Sequence, residues 1–466
     1  MTSRRDVLKL YAAATAGLAG CSDSSSDGQT PDGAASGQQD TPAPSGEGTT
    51  HDIREYGAAV DGETDDTAAV RGALDAADPG DTVVFPAGTT LVSADDKSRA
   101  GAAAIRIDER RHPADLTLQG VGENSVVRMD GGHEANHKLL EIGTRPGIER
   151  FALRNMKLDG AASEQEQPDG NGGWNVHVER REKGSAVADV TFRNVWSVAA
   201  NQNGFLLGHG NCTLVRCTAV DCELHGFATD VLVEEGSKVP RIVVRNCYAA
   251  NNGLYGIDCS AGRVLVEDFV SENNRQGTKT TPKAVEATYR RCRFKNNDTI
   301  GYNRTPTETK TGQRATVTFT DVISEGNGWV GFRFGFDTDY TVDTIVARRN
   351  NGTDENTANI KIEDNAAVDA ALVLSYDARN GAGIRYNSSA QSRIDTYVHG
   401  GNPGGDLIAD KAGLAVGEIL TREDFREKRM QRADDINEEI TELARLTEGG
   451  ILDVPTAAEV GAGSGP

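Results

Sequence analysis

The chain has 466 residues, room for two or three ordinary domains or for one long repetitive one. Its 70 acidic side chains outnumber 49 basic ones, a formal net charge of −21. Overall charge of that sign excludes nucleic acid and anionic lipid as partners drawn in by the protein's field. It fits either plain solubility or a hydrated carboxylate surface suited to strong brine.

Residues 1–21 are not part of a fold. Ser3-Arg4-Arg5-Asp6-Val7-Leu8-Lys9 carries paired arginines, and an apolar run from Leu10 to Ala19 ends in Leu18-Ala19-Gly20-Cys21. The run is too short to span a bilayer and has the length of a signal peptide. It resembles a twin-arginine export signal with a lipoprotein cleavage box. That resemblance implies lipid attachment at Cys21, an exported, extracellular protein held at the cell surface, and membrane contact through the lipid anchor only. Residues 22–50 are mostly Ser, Gly, Asp, Pro, Gln and Thr, without a basic or large apolar side chain. Such a stretch cannot offset its own ordering entropy and reads as a tether.

The body is predicted over 51–418. Within "DIREYGAAVDGETDDTAAVRGALDAADPGDTVVFPAGTTLVS" (52–93), Thr64 to Asp66 are suited to cap a helix running to about Ala77, with Ala69, Val70, Ala73 and Leu74 as its apolar stripe. The elements Tyr56-Gly57-Ala58, Asp61-Gly62, Thr64-Asp65-Asp66-Thr67 and Phe85-Pro86-Ala87-Gly88 resemble the opening of the pectate-lyase superfamily. The fold this implies is a right-handed parallel β-helix with an N-terminal capping helix. It implies no particular reaction, because that superfamily hosts lyases, hydrolases, epimerases and non-enzymes.

A repeat in the residues points to the same fold. Aligned on Gly204, Gly226, Gly256, Gly301 and Gly331, the position nine residues earlier holds Val195, Cys217, Cys247, Cys292 and Val322. Phe205, Phe227, Ile257, Tyr302 and Phe332 follow the glycines directly, and Leu207, Thr229, Cys259, Arg304 and Phe334 come two residues further on. Asn252, Asn297 and Asn327 stand four residues before their glycines, with Asn274 in the matching place of the intervening coil; later units follow more loosely at Asn359–Ile362 and Gly383–Tyr386. A period of roughly 20 to 30 residues belongs to coiled β architectures. The predicted class is all-β, a parallel solenoid in which Asn251-Asn252 is a corner and asparagine amides bond from coil to coil. Cys217, Cys247 and Cys292 then form one inward column, with Cys212, Cys222 and Cys259 in neighbouring strands, as small hydrophobes rather than metal ligands. Oxidation of one cysteine pair stays open. Over 419–448, Thr421 and Asp424 form a capping box for a helix with Phe425, Ile436, Ile440 and Leu443 as apolar positions, and 449–466 is a loose tail.

In this register the residue two after each glycine faces solvent. The column reads Leu206, Ala228, Asp258, Lys279, Asn303, Arg333, Lys361, Arg385, flanked by Asn203, His225, Tyr255, Ile300 and Val330. Coils stack about 4.8 Å apart, so His225, Tyr255, Asp258 and Lys279 fall within reach of one sugar ring, with Asp230 at the rim. The column turns basic at Lys279, Arg333, Lys361 and Arg385, a line suited to carboxylates or sulfates along a polymer. Tyr255-Gly256-Ile257-Asp258 resembles the Tyr-Gly-Phe-Asp segment of mannuronan epimerases. That motif continues with proline and histidine, where this chain has Cys259 and Ser260, so only Tyr255 and Asp258 carry over and His225 stands in for the imidazole. The expected function is action on an acidic, uronate-type polysaccharide by β-elimination or C5 epimerisation. Asp258 (when protonated or hydrogen-bonded), Asn303 or Arg333 would neutralise the uronate carboxylate, His225 or Lys279 would take the adjacent proton, and Tyr255 would donate one. Asp230, Asn303, Arg333, Lys361 and Arg385 are the expected substrate contacts. The alternatives are a non-catalytic glycan-binding or adhesive surface protein and a polygalacturonase-like hydrolase.

Other signals weigh less. "HEANH" (133–137) matches a zinc-protease pattern but follows Gly131-Gly132 and precedes a strand-like run, so it reads as a turn. "GHG" (208–210) lacks the upstream paired aspartates of a polygalacturonase site. Sequons occur at Asn211, Asn297, Asn303, Asn351 and Asn387. Of two acidic loops that could hold Ca²⁺, "DGETDDT" is better explained by helix capping and "FDTDYTVD" stays open.

Overall fold

In the computed structural model, the residues described are 48–99, 101–107, 115–133, 137–143, 150–165, 173–179, 189–208, 211–229, 241–260, 262–281, 284–305, 314–350 and 357–432. Met1–Ser45 form one unit and Gly46–Pro466 a second. The paired arginines, Cys21, most of the tether, Asp230 and the apolar positions Ile436, Ile440 and Leu443 lie outside the described residues.

Strands of successive coils pair in parallel, and one wall is a sheet of twelve in strict chain order. Its centre runs through Trp174–Val178, Asn203–Leu207, His225–Thr229, Tyr255–Cys259, Gln276–Thr280, Ile300–Arg304 and Val330–Phe334. A twenty-stranded sheet supplies the remaining walls. The fold is a right-handed parallel β-helix, the architecture that the glycine and asparagine spacing predicts.

Each coil turns at residues in the left-handed backbone region. One corner uses Asn194, Arg216, Asn246, Asp268, Arg291 and Asp321, each just before the inward residue Val195, Cys217, Cys247, Phe269, Cys292 or Val322. The next uses Asn251, Asn273, Asn296, Gly326 and Arg349. Asn251-Asn252 is therefore a division of labour: Asn251 adopts φ 57°, and Asn252 turns inward.

The inward asparagines form a continuous hydrogen-bonded ladder. The Nδ2 of Asn252 donates to Asn274 Oδ1 at 2.9 Å, Asn274 to Asn297 at 3.3 Å, Asn297 to Asn327 at 2.9 Å and Asn327 to Asn350 at 2.8 Å. Asn350 continues it to Asn359 at 3.2 Å. Each amide oxygen also accepts the backbone N–H of the preceding ladder residue. Ser271, Ser324 and Ser375 tie the ladder to the wall by donating to the carbonyls of Gly277, Gly331 and Gly383. Here the glycines are obligatory: a Cβ on Gly256 would lie 2.0 Å from Ser271 Oγ and 2.8 Å from Gly277 O.

Like stacks on like elsewhere in the interior, as with Phe205 on Phe227 at 5.1 Å and 7°. The six described cysteines are free and buried. Burial pushes the thiols of Cys212, Cys222 and Cys259 up to about 12, which keeps them protonated, apolar filling. Arg304 is the exception in its column, fully buried with a guanidinium that has no hydrogen-bond partner among the described residues.

A helix spans Thr67–Ala76 and buries Ala69, Val70, Ala73 and Leu74 in the core. Its predicted cap differs in detail. Asp66 makes no cap bond, because its carboxylate accepts from Ala59 N and Val60 N, and Asp65 takes Thr67 N instead. At the other end the capping box forms as predicted: Thr421 Oγ1 donates to Asp424 at 2.7 Å and accepts Asp424 N at 3.1 Å. The helix Arg422–Arg432 then buries Phe425 beside Leu420, Tyr376 and Val398.

Replacing Asn297 by Ala orphans buried partners on both neighbouring coils. We expect Asn297→Ala to cost about 3 kcal/mol in denaturant unfolding, whereas a loss below about 1 kcal/mol would show that the ladder does not hold the stack.

Candidate functional site

Parallel pairing sets a single column on the outer face of the twelve-stranded sheet. It runs Arg106, Glu141, His177, Leu206, Ala228, Asp258, Lys279, Asn303, Arg333, Lys361, Arg385, Ile408. The predicted order from Leu206 to Arg385 holds throughout. The predicted exposure does not. Leu206 is 7 % exposed, Ala228 4 %, Asp258 6 % and Asn303 4 %. Strands one spacing apart let long side chains fold over their short neighbours, so the centre of the face is a sheltered floor.

His225 and Tyr255 occupy paired positions one strand apart, and their rings stack with centroids 4.9 Å apart at 19°. Beneath them Asp258 accepts a hydrogen bond from Lys279 Nζ at 3.0 Å and another from Ser260 Oγ. His225 Nε2 is 3.8 Å from Asp258 Oδ2, and Lys279 Nζ lies 5.1 Å from the Tyr255 ring centre. Four of the predicted residues thus meet in one cluster. Gln276, which pairs with Tyr255 on the next strand, accepts from Asn303 Nδ2 at 2.9 Å and brings that side chain to its edge.

Burial governs the titration of this cluster. Desolvation pushes His225 down to about 4, with the nearby Asp258 charge opposing and Lys279 assisting. Desolvation likewise raises the Tyr255 phenol above its ordinary range, against the Lys279 charge. At neutral pH both rings are uncharged. His225 Nδ1 and Asn303 Oδ1 are buried without hydrogen-bond partners among the described residues. Buried polar groups of that kind await a ligand or water.

The basic end of the column is not a row of free cations. Arg333 Nε binds Glu363 at 2.8 Å, Lys361 Nζ sits 3.8 Å from the same carboxylate, and Arg385 Nε binds Asp410 at 2.8 Å. An overall acidic chain supplies counter-carboxylates from the adjoining turns, so the expected line of cations is largely paired. Asp230 lies outside the described residues.

A second polar group went unread in the sequence. Glu141 is buried and paired with Lys138 and with Arg106 at 2.5 Å, and His177 Nδ1 is 3.3 Å away. Burial would raise the Glu141 carboxyl, yet His177 and the two cations outweigh it and hold it at about 2. Trp174 packs on His177 with centroids 4.5 Å apart, and Lys138 Nζ lies 5.4 Å from the indole centre. The glycine marker could not reveal them, because Asn175, Leu139 and Ala104 hold its position in these coils.

The weaker signals resolve locally. In "DGETDDT" the carboxylates cap backbone amides, and in "FDTDYTVD" Asp337 and Asp339 face Arg314. Among the described residues no three His, Cys, Asp or Glu side chains converge as metal ligands do. His133 and His137 have ring nitrogens bonded to Gln165 Oε1 and to the Asp96 carbonyl. The sequon asparagines Asn297 and Asn303 are buried.

The family described as "Rhamnogalacturonase A/epimerase, pectate lyase-like" matches residues 51–303, more than half of the chain. The chain belongs to this family. Mannuronan C5-epimerase AlgE1 of Azotobacter vinelandii is 26% identical over 228 residues, 48% of this chain and 15% of the relative. Alginate lyase 7 of the same organism is 26% identical over 221 residues, 45% of this chain and 23% of the relative. The chain therefore matches under a quarter of the length of either. Among solved structures, the A-module of Azotobacter vinelandii mannuronan C-5 epimerase AlgE6 superposes with a TM-score of 0.58 at 16% identity, covering 79% of this chain and 99% of the module. At that identity the likeness is one of fold. The family match takes in Tyr255, Asp258, His225, Lys279 and the Glu141 group, while Arg333, Lys361 and Arg385 lie beyond it.

An unfolded histidine takes up its proton near 6.5, whereas folded His225 resists until about 4. The unfolded state thus binds more protons between these values, and stability falls as pH drops from 6.5 toward 4. In ring-detected NMR titrations we expect His225 to titrate near 4, and lower still in Asp258→Asn. A midpoint at 6.5 would contradict the sheltered geometry.

Proposed function

We propose that the protein acts on an acidic, uronate-type polysaccharide, removing the proton beside a uronate carboxylate at the His225–Tyr255–Asp258–Lys279 cluster. One observation carries the reading: a neutral imidazole and a neutral phenol, stacked on each other, stand over a carboxylate–ammonium pair on the sheltered outer face of the twelve-stranded sheet. The names of its relatives, mannuronan C5-epimerases and an alginate lyase, support the same substrate class.

The chemistry follows from the geometry. A proton at C5 of a uronate becomes acidic when the carboxylate charge is neutralised. Lys279 and the Asn303 amide are the donors nearest the cluster. With its Nε2–H turned toward Asp258, His225 keeps a lone pair on Nδ1, the nitrogen without a hydrogen-bond partner among the described residues, and takes the C5 proton there. Asp258 stabilises the imidazolium that forms. Lys279, already donating to Asp258, serves as an electrostatic partner rather than as the base that the sequence left open. Tyr255 gives its phenolic proton to the leaving O4, so the C5–H and C4–O4 bonds break as the C4–C5 double bond forms. If Tyr255 instead gives its phenolic proton to C5 on the opposite face, the C4–O4 bond stays intact and the product is the C5 epimer. Either way the proton on His225 returns to Tyr255 through solvent.

On this reading the protein works outside the cell, held by lipid at Cys21 on the 22–50 tether, where polymers too large to enter are accessible.

Incubation with alginate, pectate and other uronate polymers in high salt separates the outcomes. Ultraviolet absorbance of unsaturated ends marks elimination, epimer content by NMR marks epimerisation, and reducing ends without absorbance mark hydrolysis. Tyr255→Phe and Asp258→Asn are each expected to lower kcat at least about 100-fold with the far-UV spectrum unchanged. Full activity in both would move the site elsewhere, and binding without turnover would favour a glycan-binding module.

A further inference from the structure

Two half-buried tryptophans flank the cluster in matching surroundings. Trp174 belongs to the strand three steps before Tyr255–Cys259, and Trp329 directly precedes the strand three steps after it. Around Trp174 stand Lys138, Nζ 5.4 Å from the ring centre, and Arg106, both paired with Glu141. Around Trp329 stand Lys361, Nζ 4.9 Å from the ring centre, and Arg333 at 6.0 Å, both beside Glu363. Each end therefore gathers one indole, two cations and one carboxylate, and Trp174 also packs against His177. The remaining tryptophan, Trp196, is buried in the other sheet.

A pyranose presents its axial C–H bonds to an aromatic face, and burying that surface favours stacking. The cations beside each indole can meet the sugar's carboxylate, which helps to exclude neutral glycans. The two indoles are six strand steps apart, about 29 Å, and an extended pyranose chain advances by roughly one strand spacing per ring.

We propose that Trp174 with Lys138 and Arg106, and Trp329 with Arg333 and Lys361, are the two end subsites of a single track, in which an anionic polysaccharide of about six or more rings lies along the solenoid axis with its reacting unit over Tyr255. The proposal rests on the uronate reading above for its substrate class. It makes the protein an internal-attack enzyme that engages long chains better than fragments.

The test uses the full chain with uronate trimers and octamers. Octamer is expected to quench tryptophan fluorescence strongly and trimer weakly, since Trp196 is shielded. Trp174→Phe and Trp329→Phe should each remove part of the octamer quench. The Ala variants at either position should raise KM for octamer about tenfold while leaving kcat, and trimer turnover, unchanged. Turnover with equal KM for both lengths in wild type and variants would overturn the track and leave the catalytic reading intact. Length-dependent quenching without turnover would keep the track and overturn the catalytic reading. Absence of both quenching and turnover would overturn the two together.

Discussion

Register is what the structure depends on, and the buried asparagine ladder fixes it. Each ladder amide donates to the next coil and accepts from the previous one, with no solvent to compete. A slip by one residue would turn every inward side chain outward and strand a row of amides in an apolar interior. The glycines follow from this arrangement, because the next coil's carbonyl together with a ladder amide or its serine leaves no room for a Cβ. Once register is fixed, residues 20 to 30 apart in the chain become neighbours on one face.

That face is where we propose that an acidic protein meets an acidic polymer. Its cations are not displayed bare but held by carboxylates of the same or adjoining coil, so that they keep their orientation. Pairing lowers the local field, and direct contact at short range takes over from long-range attraction. In molar salt, where screening shortens electrostatic reach to about 3 Å, only such contacts discriminate. Shelter matters as much as charge. The same burial that keeps His225 neutral leaves its Nδ1 open as an acceptor.

The sequence carried the architecture further than the site. Gly204 to Gly331 and Asn252 to Asn327 mark coils because each type answers a steric or hydrogen-bonding demand that no other side chain meets, and their spacing is therefore readable. From that register Tyr255, Asp258, His225 and Lys279 fell into one cluster. Exposure was not readable in the same way: Asp258 and Asn303 point outward, yet neighbours on adjoining strands cover them. Nor was pairing, since Glu363 and Asp410 reach Arg333 and Arg385 from positions outside the repeat. Trp174, Glu141 and His177 escaped because their coils precede the ladder and have no need of its glycine. Asn175 in that slot was the available clue, an amide reaching Leu158 O and Val198 O where glycine would later stand.

The arrangement we propose is a polymer lying along the axis with a single uronate over the stacked rings. A crystal structure of the Asp258→Asn protein with a bound uronate oligosaccharide tests it most directly. The account predicts sugar density along the twelve-stranded sheet, with a uronate C5 within contact of His225 and its carboxylate at Lys279. An oligosaccharide bound to another wall, or crossing the coils rather than following them, would contradict it.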